Sequence, residues 1–355
     1  MTSSPAARLL RWYARHARRL PWRDHPGRRR RGTYSIWVSE IMLQQTRAAT
    51  VIPYYRRWMR RFPSLRALAA AQRAEVLGAW EGLGYYRRAH HLHRAARMIV
   101  NQRGGRMPRT AEELRSLPGI GRYTAAAIAS IAFGADVIAL DGNVRRVLAR
   151  FFDLRGRGRT NGHDAGLLQR AQEILPRGRA GDFNQALMDL GAGTCTPRNP
   201  DCVACPLSAS CLANRRGTQE RERFPPRRHD LPRRLRIAAV VRRSGRVLLV
   251  RRPEGGLLGG LWEFPSAGSR RRSTTDGAIS VRVGRRLGAY RQAYSHFESL
   301  VRACEARLDP GGLAGIPQRD RRWVALSRLD RYPMGRVDRR IAQDLQKGRA
   351  ANRRP

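Results

Sequence analysis

At 355 residues the chain is long enough for two domains with large apolar cores, and with 41% hydrophobic residues it is no disordered tail. Its formal net charge of +44 excludes a basic partner and points to a polyanion, most simply nucleic acid. Five cysteines are too few for a disulfide-stapled scaffold of this length, and no stretch approaches the roughly eighteen apolar residues of a membrane span, so a reducing, intracellular compartment is expected.

The basic N-terminus carries Arg11-Trp-Tyr-Ala-Arg-His16, which has no apolar run and does not read as a signal peptide. From about Leu9 to Leu212 the chain reads as helical. Apolar residues recur at helical spacing over 36–50, 74–80, 89–100, 124–131 and 182–190, and Pro53, Pro63, Gly78, Pro108 and Pro118 are read as breakers. Residues 215–234 are polar, contain Pro225-Pro226 and Pro232, and read as a semi-extended linker. The period then changes. Runs at 237–241 and 246–250 flank Ser244-Gly245, a hairpin signal, and further strands are expected at 279–283, 299–306 and 322–325. Residues 235–346 therefore read as a second domain, α+β or α/β, and 347–355 as a disordered tail. The single lysine, Lys347, makes arginine the source of nearly all the positive charge.

Cys195, Cys202, Cys205 and Cys211 lie within seventeen residues, spaced C-x6-C-x2-C-x5-C. Thiols so closely spaced can converge on one metal centre. Zinc sites usually pair two short Cys-x-x-Cys hooks or add histidine. Here there is one short hook and no histidine between the outer cysteines, so a four-cysteine iron–sulfur cluster is the better reading, with zinc as the alternative. Either metal would present the loop 196–201 rigidly, with Arg198 at its centre. Cys304 stands apart and reads as a small apolar residue.

Leu117-Pro-Gly-Ile-Gly-Arg-Tyr-Thr124 lies between a polar helix at 111–116 and the alanine-rich run at 124–131. Gly119 and Gly121 would leave backbone amides free to approach a phosphate at a helix N-terminus, the helix-hairpin-helix pattern of sequence-independent DNA binding. Taken alone it could also be an ordinary glycine-capped turn. Two carboxylates stand out as well. Glu40 lies in an apolar, amide-bearing helix, where burial favours the protonated form and suits a general acid. Asp141 follows the apolar run after the hairpin and could stay ionised beside a cationic sugar, the paired-carboxylate logic of glycoside cleavage. A solvated helix face for Glu40 and a turn or N-cap for Asp141 are the plainer readings of each residue alone.

Together with Leu20-Pro-Trp-Arg23, Val38-Ser-Glu-Ile-Met-Leu-Gln-Gln-Thr46, Gly82-Leu-Gly-Tyr-Tyr86, Leu140-Asp-Gly-Asn-Val144 and Phe183-Asn-Gln-Ala-Leu-Met-Asp-Leu-Gly-Ala192, these features make the first 212 residues resemble the MutY family within the helix-hairpin-helix, iron–sulfur DNA glycosylases. Leu257-Leu-Gly-Gly-Leu-Trp-Glu-Phe-Pro265, Tyr294-Ser-His-Phe297 and residues 323–330 resemble the Nudix-like domain with which that family reads 8-oxoguanine. The resemblance implies an all-α glycosylase domain (1–214) with a [4Fe-4S] cluster on the four cysteines, followed by an α/β Nudix-like domain (235–346). It implies a monomeric bacterial-type enzyme, cytoplasmic and associated with the nucleoid, that removes adenine mispaired with 8-oxoguanine or guanine in double-stranded DNA.

By the same resemblance Glu40 protonates the adenine, Asp141 stabilises the sugar cation, and Tyr123 and Asn143 support them. Trp22, Arg23, Thr46 and Gln185 lie in the strings that line the adenine pocket, Gln45 and Tyr85 wedge into the duplex, and Gly119, Gly121 and Arg198 meet the DNA backbone. Ser295, with Tyr294 and His296 beside it, reads the oxidised guanine; the family commonly has Phe in place of Tyr294. Endonuclease III relatives carry a Schiff-base lysine at the position of Tyr123. Its absence implies a glycosylase without lyase activity. Between Phe264 and Phe297 the only acidic residue is Asp276, so the glutamate cluster that a Nudix hydrolase needs for magnesium is missing.

Overall fold

The computed structural model describes residues 4–23, 32–154, 161–220, 231–267, 279–294 and 296–348. Ser295, Asp276, half of the expected linker (221–230) and the end of the tail (349–355) lie outside them. Packing divides the chain into two units, Met1–Ala70 with His91–Pro226 and Ala71–His90 with Arg227–Pro355. Residues 71–90 thus group with the C-terminal unit.

In chain order the helices are α1 (Pro5–His16), α2 (Thr33–Leu43), α3 (Ala48–Arg61), α4 (Leu65–Ala70), α5 (Arg73–Trp80), α6 (Arg87–Arg103), α7 (Ala111–Arg115), α8 (Arg122–Phe133), α9 (Gly142–Phe151), α10 (Asn161–Glu173), α11 (Ala180–Gly193) and α12 (Leu212–Arg215). Local signals explain many of their ends. Pro5 opens α1, where its missing N–H costs nothing, and the Ser4 hydroxyl accepts from the Ala7 amide at 3.2 Å. Thr110 and Glu113 form a capping box on α7. Gly134 closes α8 in the left-handed conformation.

Two expectations fail at α2 and α3. The helical run at 36–50 is split, because Gln45 takes a φ of 54° and ends the first helix. Pro53 lies inside α3 and breaks nothing. It removes one intrahelical hydrogen bond near the start of the helix, and burial of Val51, Tyr55 and Trp58 outweighs that loss. Gly78 likewise sits within α5. Residues Ser35 to Met42 of α2 are all buried, so this helix is enclosed on every side rather than amphipathic. A core of the first unit gathers Leu9, Val144, Leu148, Leu167, Phe183 and Leu187 from α1, α9, α10 and α11.

Among the described residues the second unit has seven strands: β1 (Arg233–Arg243), β2 (Arg246–Arg251), β3 (Trp262–Glu263), β4 (Ser266–Ala267), β5 (Val281–Ala293), β6 (Glu298–Leu308) and β7 (Arg321–Ala325). The path is β3-β2-β1-β6-β5, with β4 on β1 and β7 on β2. Only β1 and β6 among these pairs run parallel. The expected hairpin is present. Ser244 and Gly245 carry φ of 47° and 70°, which suits a two-residue turn between twisted strands. β5 and β6 run well past the expected spans, and a last helix, α13 (Arg336–Gln346), was not anticipated. Its Val337, Ile341, Ala342 and Leu345 pack with Val240, Leu249, Phe264 and Val301 of the sheet, and Ala239, Val241, Leu248 and Ile279 form a separate core.

Candidate active site and cysteine loop

Glu40 is carried by the enclosed helix α2 and is 5% exposed. Its Oε2 accepts a hydrogen bond of 3.0 Å from the Tyr123 hydroxyl on α8. Burial pushes the Glu40 carboxyl up to about 7, opposed by the Tyr123 hydrogen bond and the charge of Arg23 and reinforced by Asp141. The charge of Asp141 acts on both Glu40 and Tyr123, so the three groups lie near one another.

Asp141 is the N-cap of α9. Its Oδ1 accepts from the Val144 amide at 2.6 Å, and the Asn143 amide also bonds to it. Burial raises its proton affinity, while those two amides and the charges of Arg146 and Arg145 favour the ionised form. The plain reading of Asp141 as an N-cap is thus met, and capping leaves its carboxylate at the start of α9. A helix N-terminus is a suitable place to hold a carboxylate charged.

Several expected residues have partners within the fold. Arg23 is buried, and its Nη1 and Nη2 donate to the two Asp189 oxygens at 2.5 and 2.9 Å. Trp22 packs edge-on against Tyr55 with ring centroids 5.3 Å apart. The Asn143 side chain accepts from Arg146 at 3.0 Å. The Gln185 amide donates to Gly181 of its own helix. Gln44 reaches the hairpin, donating to the Gly119 carbonyl at 3.3 Å and the Thr124 hydroxyl at 3.1 Å. Thr46 donates to the Gln44 carbonyl, and Gln45 is exposed in its left-handed conformation. In the second unit Tyr85 has a φ of 48° and is 48% exposed.

The two hairpin glycines differ. Gly119 has a φ of 79°, and a Cβ there would stand 2.7 Å from that of His91. Gly121 has ordinary extended geometry, caps α8 and meets nothing within 4 Å. Only the first is dictated by conformation; the second leaves space in front of a helix N-terminus, the arrangement that admits a phosphate.

The four cysteines line one small cavity of about 30 Å³ together with Val147, Arg150, Leu190 and Leu207. Arg150 donates to Cys195 Sγ at 3.3 Å and to the Thr196 and Pro197 carbonyls at 2.6 and 3.2 Å. Arg146 donates to the Cys195 and Gly191 carbonyls at 2.8 and 2.6 Å. Among the described residues no group of three or more His, Cys, Asp or Glu converges as a ready single-ion site. Burial pushes the Cys205 thiol up to about 11. Arg198 is exposed on the loop. Cys304 is buried in β6, as expected of a small apolar residue.

Tyr294 stacks on Phe297 with centroids 4.7 Å apart, and its amide donates to the Phe297 carbonyl at 2.8 Å. His296 is exposed and lies edge-on to Phe297.

The HhH-GPD superfamily of base excision DNA repair proteins matches residues 38–165, and the NUDIX domain family matches residues 237–344. The chain is 42% identical over 305 residues to the adenine DNA glycosylase of Mus musculus, covering 73% of this chain and 59% of that one. It is 30% identical over 293 residues to the adenine DNA glycosylase of Buchnera aphidicola subsp. Acyrthosiphon pisum (strain APS), covering 81% of this chain and 82% of that one. The chain belongs to the MutY family of adenine DNA glycosylases. It spans a little over half the length of the mouse relative. A solved thermostable thymine-DNA glycosylase is 31% identical, with a TM-score of 0.53 over 59% of this chain and 95% of that one.

Reading the MutY-type strings for motifs alone misses their structural members. Asn184 is fully buried. Its Oδ1 accepts from the Ala139 amide at 3.0 Å, and its Nδ2 donates to Ser130 and the Val137 carbonyl at 2.9 and 2.8 Å, fixing the segment that leads into Asp141. Asp189, four residues after Gln185, pairs with Arg18 and Arg23. The available signal was a charged residue and an amide placed at helical spacing among otherwise buried positions.

Proposed function

We propose that this chain is a monofunctional adenine DNA glycosylase of base excision repair. It acts as a monomer on double-stranded DNA and removes adenine mispaired with 8-oxoguanine or guanine. The observation that carries the reading is the buried Glu40 carboxyl, raised to about 7 and bonded to Tyr123 in the same site as Asp141. A general acid is most effective with its pKa near the working pH.

The adenine is first extruded from the stack. Glu40 gives its proton to N7; the bond between C1′ and N9 breaks, its electron pair stays with the base, and adenine leaves neutral. The sugar is left oxocarbenium-like. Asp141, whose ionised form two backbone amides and the charges of Arg146 and Arg145 favour against the burial that raises it, stabilises that cation. Water adds to C1′ and loses a proton, which leaves an abasic site. Tyr123 offers no amine for a Schiff base, and the only lysine is Lys347, which supports a glycosylase without lyase activity.

Cys195, Cys202, Cys205 and Cys211 would hold a [4Fe-4S] cluster. Four thiols around one cavity, with guanidinium donors on the loop, fit that group. Bound there, a cluster would clamp the loop rigidly, and Arg198 on that loop would meet the DNA backbone. Tyr294, Ser295 and His296 serve to read the lesion opposite the adenine.

The test is single-turnover cleavage of a duplex with one 8-oxoguanine·adenine pair, beside an 8-oxoguanine·cytosine duplex and Glu40→Gln. Alkali-dependent breaks only at the adenine, lost in the variant while binding persists, are expected. Tight binding without base release would instead make this a DNA-binding protein, and a borohydride-trapped adduct would make it a lyase. Iron and zinc analysis separates a cluster from a zinc site.

A further inference from the structure

One side-chain amide ties the helix that carries Glu40 to the glycine hairpin. Glu40 lies on α2, and Gln44, four residues on, is the C-cap of that helix. Residues at this spacing share a helix face, and both side chains reach across to α8 and the turn before it. Glu40 accepts from the Tyr123 hydroxyl at 3.0 Å. Gln44 Nε2 donates to the Thr124 hydroxyl at 3.1 Å and to the Gly119 carbonyl at 3.3 Å. An amide nitrogen carries two N–H bonds, so it can make both at once. Thr124 is 2% exposed and directly follows Tyr123. Gly119 is the hairpin glycine held at a φ of 79°. Gln44 thus grips the hairpin on one side of Gly121 and α8 on the other.

Two points of attachment do what one cannot. A helix held by a single side-chain bond can still turn or slide about it. A second bond one turn along removes that freedom, and hydrogen bonds weaken steeply with small errors of distance and angle. We propose that Gln44 is a positioning residue for adenine excision: its amide sets the register of α2 against α8 and the hairpin, and so holds Glu40 against Tyr123. This role rests on the glycosylase reading and adds one residue to it. Gln44 meets no reacting atom; it acts through the Glu40–Tyr123 bond. The hairpin is also the place that admits a phosphate, at the N-terminus of α8. A shift of the hairpin on DNA would therefore pass through the same amide to Glu40. A Gln44 that merely finished α2 would affect stability and leave Glu40 as it is.

Single-turnover excision from an 8-oxoguanine·adenine duplex, followed across pH on the full chain with thermal unfolding in parallel, tests it. Gln44→Met keeps the length of the side chain and removes both N–H donors. On the acidic plateau, at saturating enzyme, the rate constant should fall about tenfold. The inflection against pH should move upward, because the Tyr123 hydrogen bond that favours ionised Glu40 is loosened while Arg23 and Asp141, the other groups acting on that carboxyl, are untouched. In a Tyr123→Phe background that bond is already gone, so Gln44→Met should move the inflection no further. Thr124→Val should shift it the same way but by less, since the bond to Gly119 remains, and Thr124→Ser, which keeps the acceptor, should recover most of the loss. If Gln44→Met does not fold, Thr124→Val carries the same comparison. An inflection that these variants leave unmoved, or that Gln44→Met moves equally with and without Tyr123, overturns the role whatever happens to thermal stability. In that case the unaltered protein still excises adenine and the glycosylase reading stands. Failure of the unaltered protein to excise would overturn both.

Discussion

At the scale of single residues, the site rests on one carboxyl whose charge state is set by burial. Glu40 rises from 4.5 to about 7 in the fold. A group that binds its proton more tightly when folded gives stability that is fully present below pH 4.5 and is lost as pH rises through about 7. At about 1.4 kcal/mol per unit, that loss amounts to about 3 kcal/mol. Glu40→Gln should remove this component, so urea unfolding of the two proteins across pH 4 to 8 should diverge by that amount; parallel profiles would refute the assigned charge state. Tyr123 acts in the opposite direction, since its hydrogen bond favours the ionised Glu40. Tyr123→Phe should therefore keep Glu40 protonated to higher pH. The inflection in single-turnover excision against pH should move upward, and an unmoved or lowered inflection would reject the coupling.

At the scale of elements, the hairpin separates conformational need from open space. Gly119→Ala puts a Cβ against His91 at a positive φ, and should cost about 1–3 kcal/mol in thermal unfolding and weaken duplex binding. Gly121→Ala has extended geometry and room around it, so its stability cost should stay below about 1 kcal/mol. Equal losses at both positions would contradict this distinction. The same scale shows where elements were legible. The hairpin, the alanine-rich α8 and the β1–β2 turn were readable because their glycines and periodicity are local. The long β5 was not, because Arg282, Arg285, Arg286 and two glycines dilute its pattern; pairing with β6 holds it, across two register shifts. α13 carries apolar residues at helical spacing, but they are interleaved with arginines and acids, and only the sheet beneath gives them something to pack on.

At the scale of the molecule, net charge is the dominant property. Displacement of counterions makes duplex affinity fall steeply with salt. With six or more phosphates contacted, the loss between ~50 and ~200 mM salt is about a thousandfold or greater. Fluorescence anisotropy on a duplex at increasing salt measures the slope. A fall of less than about tenfold would mean that most arginines lie away from the DNA and merely decorate the surface. The paired arginines already suggest a division of labour. Arg23, Arg146 and Arg150 are buried and hold carboxylate or carbonyls, whereas Arg198 and the outer half of β5 are exposed.

By itself the sequence determined the four-cysteine loop, the glycine hairpin, the absence of a Schiff-base lysine and the two carboxylates. Such motifs are made of residue type and spacing, and neither needs distant contacts to be read. The apolar surroundings of Glu40 were legible in the sequence, but Tyr123, Arg23 and Asp141, which tune its carboxyl, are remote in the chain and are brought to it only by the tertiary structure. The same holds for the buried Arg23–Asp189 pair, 166 residues apart, and for the Gln44 amide, which meets Thr124 across 80 residues of sequence. No periodicity records those meetings; packing alone brings the groups together.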